Sequence, residues 1–281
     1  IKQLTAHDFV VKDILASKNN KIYYSATGKN PMNTLSYCVG LDGKKQKLLT
    51  PNEGTHSFSI SSNGKYFYDS YSSGTVPNKS LIWTMNGKMA KLVNAAKDKL
   101  DEYNIGSTEI GSIKSADNKN LYYRMIKPSN FDQTANYPVL VYVYGGPHAQ
   151  LVTNNWLYGA SLWMHWMANQ GYVIFTLDNR GSGSRGFDFE SGIHRQLGTL
   201  EIEDQLLGVK FLKKQANIDT NRIAVHGWSF GGFMTTSLML REPGVFTTGV
   251  AGGPVTDWKY YEAMYGERYM DRPEENEKGY E

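Results

Sequence analysis

The chain has a single cysteine, Cys38, among its 281 residues. An intramolecular disulfide framework is therefore excluded, and a lone thiol leaves the compartment open. No apolar run approaches the roughly 18 residues that a spanning helix needs, so no membrane span is expected. Excess charge of one sign is missing too: 30 Lys and Arg stand against 27 Asp and Glu, a formal net charge of +3. That balance argues against a nucleic-acid binder, which concentrates a basic face. There is no His, Cys, Asp and Glu cluster with metal-ligand spacing, and no metal or cofactor is expected. The gravest shortage is of histidine. His7, His56, His148, His165, His194 and His226 are all there are, and none lies beyond residue 226. The opening Ile1-Lys2-Gln3-Leu4-Thr5 is neither a signal peptide nor a Met start, and Glu277-Lys278-Gly279-Tyr280-Glu281 stops in mid-pattern. A fragment is expected at both ends.

Aromatic residues are plentiful, with 19 Tyr and 6 Trp, and the apolar share of 40% suits a sizeable core. Residues 1 to about 100 read as short strands between turns. Lys21 to Ala26, Leu35 to Leu41 and Lys65 to Ser70 are rich in aromatic and β-branched residues. The breaks between them are Asp42-Gly43, Asn63-Gly64 and Asn86-Gly87, pairs that supply positive φ at low cost. Turns recur at about 20-residue intervals with no helical period, which predicts the last blades of a β-propeller; a small all-β sandwich is the alternative.

From about residue 105 the pattern changes. Pro138 to Tyr144 and Tyr172 to Leu177 are near-continuous apolar strands, as in a sheet covered on both faces. Ser161 to Gln170 reads as a helix. Leu200 to Gln215 reads as another, with Ile202, Leu206, Val209 and Leu212 on one stripe. Arg222 to His226 is a strand, Phe233 to Leu240 a helix, and Phe246 to Ala251 strand-like. Alternation of this kind predicts an α/β fold with a mostly parallel, doubly wound sheet. The expected division is 1–104 for the β-rich part and 105–281 for the α/β part.

Within the second part lies Gly227-Trp228-Ser229-Phe230-Gly231-Gly232. A Gly-x-Ser-x-Gly pentapeptide alone is weak, since about 0.2 matches arise by chance in such a chain. Its context is stronger. A strand runs straight in and a helix runs straight out, the setting of the α/β-hydrolase nucleophile elbow. A purely structural glycine-rich turn is the competing reading. A serine hydroxyl needs a base to take its proton, and in this fold the chain order is Ser, Asp or Glu, then His. With no histidine downstream, His226 is the nearest in sequence, and it is expected in the sheet packing rather than as the base. Asp257 and Asp271 stand too close to the elbow for the acid. The economical expectation is a chain cut before both. The oxyanion of the tetrahedral intermediate needs donors worth about 3 kcal/mol each. The backbone N–H of Phe230 is one candidate and the phenol of Tyr144, before Gly145-Gly146-Pro147, is the other. Tyr144 also reads as an ordinary aromatic at a strand end. Asp178-Asn179-Arg180-Gly181-Ser182-Gly183 lacks the full dinucleotide fingerprint and a Walker lysine, so it reads as a structural loop near the site. Asn78-Lys79-Ser80 fits a glycosylation sequon of the kind that chance supplies.

Taken together, the elbow, the Asp178-x-Arg180-Gly181-Ser182-Gly183 loop, Leu197-Gly198-Thr199-x-Glu201-x-Glu203-Asp204-Gln205, Pro254-Val255-x-x-Trp258-x-Tyr260-Tyr261 and Tyr265-x-Glu267-Arg268-Tyr269-Met270 resemble the dipeptidyl peptidase IV branch of the prolyl oligopeptidase family. The wording around Ala251 to Val255 and Met264 to Tyr269 is similar to bacterial dipeptidyl peptidase IV and prolyl tripeptidyl peptidase. The resemblance implies an α/β-hydrolase preceded by the last propeller blades. It implies a serine exopeptidase releasing di- or tripeptides after proline, with peptide substrates as partners. Ser229 matches the nucleophile. Tyr144 and Phe230 match the oxyanion hole. Val255, Trp258, Tyr261 and Tyr265 match a proline pocket, where an aromatic, water-poor slot suits a ring without an N–H. Glu262 matches a carboxylate facing the substrate amine, although it also reads as a surface glutamate. Phe230 departs from the family's usual tyrosine, without touching the backbone donor. The family's Asp and His would follow Ser229 by about 75–80 and 105–115 residues, beyond this chain. Paired glutamates that grip the amine in dipeptidyl enzymes are also absent, so di- and tripeptide release are not separated. The resemblance further implies a location outside the cytoplasm, commonly periplasmic, and a homodimer. Other family peptidases, such as an acylaminoacyl peptidase or an oligopeptidase, and a non-catalytic binding module remain as alternatives. The segment alone is expected to be inactive.

Overall fold

Asn and Gly punctuate the first hundred residues of the computed structural model, which describes residues 2–51 and 53–281, with Asp101 given by its backbone alone. Two four-stranded antiparallel meanders form there. The first is β1 (Val11–Lys18), β2 (Lys21–Ala26), β3 (Leu35–Gly40) and β4 (Lys47–Leu48). The second is β5 (Thr55–Ile60), β6 (Tyr66–Ser73), β7 (Val76–Thr84) and β8 (Met89–Ala95). Gly43, Gly64 and Gly87 turn the chain at φ +81, +67 and +91, each between paired strands. At the β1–β2 turn, Asn19 and Asn20 hold φ +51 and +57, the double positive φ of a type I′ hairpin. Strand alternation sends Tyr24, Tyr37 and Val39 to one core and Tyr23 and Cys38 to another, shared with Phe67 of the second meander. Sheet on sheet, each a four-strand meander, is the propeller-blade repeat.

The second part begins with β9 (Thr108–Lys114) and β10 (Asn120–Ile126), an antiparallel pair that the sequence reading did not name. Then follow β11 (Tyr137–Tyr142), α1 (Leu162–Asn169), β12 (Val173–Leu177), α2 (Phe187–Glu190), α3 (Leu200–Leu212), β13 (Ile218–Trp228), α4 (Phe230–Arg241), β14 (Thr248–Gly252), α5 (Ala263–Met270) and α6 (Glu277–Tyr280). The sheet order is β14-β13-β11-β12-β10-β9, with β11 to β14 pairing in parallel and β10 antiparallel to both neighbours. Connections from β11 to β12 and from β12 to β13 run in opposite directions across the sheet. Right-handed crossovers then put the helices after β11 and after β13 on opposite faces. A crevice opens where the carboxyl ends of these two neighbours meet. Val139, Val141, Val173, Phe175, Ile223 and Val225 are buried in one core with Phe230, Phe233 and Trp258.

The fold is thus an α/β-hydrolase with a mostly parallel sheet, preceded by propeller blades. By contacts the chain forms two compact units: residues 1–103 with 153–160 and 184–186, and the remainder. The sequence reading divides the chain once, at 104/105. Two helices differ from that reading. In α4 the helix starts at Phe230, three residues earlier, because Gly231 and Gly232 are helical. In α3 the stripe Ile202, Val209 and Leu212 is buried, but so are Glu201, Asp204 and Gln205.

Candidate active site

Strand β13 ends at Trp228 and α4 starts at Phe230, so Ser229 alone makes the turn. Its backbone is left-handed, φ +58 and ψ −116, a conformation costly for a side-chain-bearing residue and found where a functional constraint holds it. What holds it is close packing. A Cβ on Gly227 or Gly231 would stand 2.3 Å from the Val143 carbonyl oxygen, and one on Gly232 would stand 2.5 Å from that of Gly252. The Ser229 N–H donates to Gly252 O at 2.9 Å. The elbow is therefore clamped between β11 and β14, and the hydroxyl sits over the helix N-terminus, where first-turn N–H groups have no intrahelical acceptor. The Phe230 N–H is one of these.

Tyr144, two residues past β11, lines the same small cavity as Ser229. Burial, then the neighbouring Tyr261 and Tyr269, pushes its pKa up, so the phenol stays protonated and can donate. Its loop is braced from behind. Asn179 Nδ2 donates to Gly145 O at 3.0 Å, and Gln205 Nε2 donates to Asn179 Oδ1 at 3.0 Å. Arg180 pairs with the buried Asp204, Nη2 to Oδ1 at 2.8 Å, and Asp178 accepts the N–H groups of Leu151 and Val152. The Asp178 to Gly183 stretch is thus a structural loop.

A small cavity of about 60 Å³ is lined by Tyr144, Ser229, Phe230, Val255, Trp258, Tyr261 and Tyr265. Seven of the eight site residues named from sequence meet there. Glu262 is exposed at the start of α5 and does not line it. The walls are rings. Trp258 stacks on Tyr265 at 5.7 Å and meets Tyr261 edge-on at 5.8 Å. Phe230, Phe233 and Trp258 form a triangle of ring contacts with centroids 5.1 to 5.3 Å apart. Burial above all pushes the Tyr265 pKa up, so this phenol is neutral as well. A ring-walled, uncharged slot beside a hydroxyl can hold a compact ring residue while its carbonyl faces Ser229. A larger hollow of about 360 Å³ is lined by His148, Glu190, His194, Arg268 and Tyr269 among others, and it does not include the serine.

Histidine supply matches the expectation for His226. Its Nδ1 is 2.7 Å from Val250 O, and its ring meets Tyr142 and Trp163 edge-on. His165 is buried, and His148 Nδ1 faces Glu190 at 3.0 Å. Among the described residues no group of three or more His, Cys, Asp and Glu could hold a metal, and no helix is long and apolar enough to cross a membrane. The sequence motifs include Asn179 and Gln205 but give no sign that they brace the Tyr144 loop, because that contact joins three segments distant in sequence.

Residues 159–281 match the model of the prolyl oligopeptidase family, and residues 1–78 match that of the dipeptidyl peptidase IV N-terminal region. A Bacteroides ovatus crystal structure assigned to a dipeptidyl aminopeptidase IV is 46% identical, with TM-score 0.93 over 99% of this chain and 40% of that one. Porphyromonas gingivalis dipeptidyl peptidase 4 is 29% identical, with TM-score 0.92 over 100% of this chain and 40% of that one. A protein of Arthroderma gypseum described as a dipeptidyl-aminopeptidase B is 36% identical over 94% of this chain and 29% of its own length. The chain therefore spans about two fifths of those solved chains and under a third of that curated relative.

Proposed function

Since the chain belongs to the prolyl oligopeptidase family, in its dipeptidyl peptidase IV branch, we propose that it carries the nucleophile-bearing part of a serine exopeptidase that cleaves after proline near peptide N-termini. Ser229 Oγ attacks the proline carbonyl carbon. The Phe230 N–H and the Tyr144 phenol hold the oxyanion, the amine leaves, and water releases the di- or tripeptide from the acyl-enzyme. Proline occupies the slot made by Val255, Trp258, Tyr261 and Tyr265. Glu262 meets the substrate amine. A His–Asp pair from outside residues 1–281 supplies the base, so this segment alone reacts little with a fluorophosphonate. The propeller part ends near residue 104. Location outside the cytoplasm and a homodimer belong to the same reading.

The observation that carries it is the shared cavity: a strained elbow serine, a protonated phenol and four pocket residues line one space. The test uses the full-length protein with Gly-Pro and Ala-Ala-Pro chromogenic amides. Hydrolysis is expected after proline and only with Ser229 intact. Activity that survives Ser229→Ala would sink the assignment, and the ratio of the two substrates separates dipeptide from tripeptide release.

A further inference from the structure

Glu201 is fully buried, yet among the described residues no Lys or Arg pairs with it; its carboxylate is held by backbone. One oxygen accepts the N–H of Gly198 and the other that of Thr199, both at 3.1 Å. Burial pushes its pKa up to about 7, with Asp204 adding in the same direction, so ionising it costs the fold stability. A group that costs stability and takes no part in the chemistry needs another reason to be there.

That reason lies in what the turn touches. Gly198 is left-handed at φ +81, and a Cβ on it would lie 2.6 Å from the tip of the Phe233 ring. The backbone of the turn is thus the backing surface of Phe233. Phe233 in turn meets Phe230 and Trp258 edge-on, and both of those line the proline slot. Two more bonds tie the same turn to the site. Arg241 Nη1 at the end of α4 donates to Gly198 O at 2.8 Å, and the Leu197 N–H points to Met270 Sδ at the end of α5, the helix that carries Tyr265.

We propose that Glu201 is a positioning residue for specificity: its carboxylate fixes the Leu197-Gly198-Thr199 turn against Phe233 and so holds Phe230 and Trp258 at the spacing that selects proline. The inference rests on the proposed function, but it is tested on a different quantity. Close-packed rings transmit small shifts, because an interior at native density has no slack to absorb them. A displaced wall weakens discrimination between ring and open-chain residues without disarming the nucleophile.

The experiment compares Ala-Pro and Ala-Ala amides in the full-length protein. The wild type tests the function: without a proline preference both readings fall. Given that preference, Glu201→Gln, which keeps one acceptor oxygen, should lower the Pro-to-Ala ratio of kcat/KM by about tenfold. The loss should appear as a raised KM for the proline substrate, with kcat near the wild-type value. Gly198→Ala, which drives a methyl into Phe233, should reproduce the pattern. Should the Glu201 variants fail to fold, Arg241→Met loosens the same turn from a partly exposed position and should shift the ratio in the same direction. An unchanged ratio in folded Glu201→Gln or Arg241→Met, or an equal fall in kcat for both substrates, overturns the proposal.

Discussion

The β-rich unit buries a histidine and an aspartate together, whereas the α/β unit presents a reactive-looking serine with neither. His56 Nδ1 lies 2.9 Å from Asp69 Oδ1, with both side chains fully buried, and His56 Nε2 lies 2.9 Å from Glu53 O. Both ring nitrogens thus face protein acceptors, and neither is directed at a hydroxyl. The pair has the residue types of a catalytic dyad and the hydrogen-bond pattern of a structural cross-link between β5 and β6. Ser229 has the reverse profile, with strained backbone, partial exposure and a protonated phenol lining the same cavity. The difference teaches that acid–base identity says little until each polar atom's partner is known. The sharpest test of the contrast separates activity from stability in the full-length protein. Ser229→Ala should lower kcat by about 10³-fold or more while moving the melting temperature little. A comparable loss of both would mean that the serine is merely structural.

The opposite behaviour is expected at His56. His56→Ala removes the N–H partner of a buried carboxylate and should destabilise the protein by about 3–5 kcal/mol in denaturant unfolding. Turnover per folded molecule should stay at the wild-type level. Lost turnover in the folded fraction would break the comparison.

Tyr144→Phe comes next. It keeps the ring against Phe230, at 6.0 Å, and removes only the phenol. If Tyr144 donates to the developing oxyanion, kcat falls by about 10²-fold, near 3 kcal/mol, with KM little changed. A raised KM at unchanged kcat would recast Tyr144 as a wall of the pocket.

Residues that act through their own turn or strand were legible in the sequence. The Asn-Gly and Asp-Gly turns and the strand entering Ser229 depend on local backbone preference and period, which a linear reading samples directly. The motif with Glu201, Asp204 and Gln205 was legible, but the burial of these three side chains was not. Along α3 they read as the solvent face of an amphipathic helix, and their burial depends on Arg180, Asn179 and the Gly198–Thr199 amides, which only the fold brings to them. The early start of α4 was hidden for a related reason. Gly231 and Gly232 look like helix breakers, but the backbones of β11 and β14 pass too close for any side chain there. Strands β9 and β10 went unread because their partly polar alternation belongs to the end of the sheet, away from the apolar central runs.

The same buried carboxylate gives the smallest and most discriminating test of the contrast. The two oxygens of Asp204 are bonded to the Arg180 guanidinium and N–H, while Glu201 has only backbone N–H groups, with Asp204 and the Tyr265 phenol as its titratable neighbours. Its folded pKa of about 7 lies above the ordinary glutamate value of 4.5. The folded state therefore holds this proton more tightly than the unfolded chain does. Stability from that proton is complete below the unfolded pKa, and it is lost as pH rises through the folded one. The amide of Glu201→Gln does not titrate, so the variant isolates the effect from every other group. Between pH 5 and pH 8 the wild type should lose about 2 kcal/mol relative to Glu201→Gln, read as a fall of several degrees in relative melting temperature. His56 and Asp69, paired in the other unit, have no share in this difference. A flat wild-type-minus-variant curve across that range would mean that Glu201 is ionised at no cost, and that its retention needs no explanation from the pocket it backs.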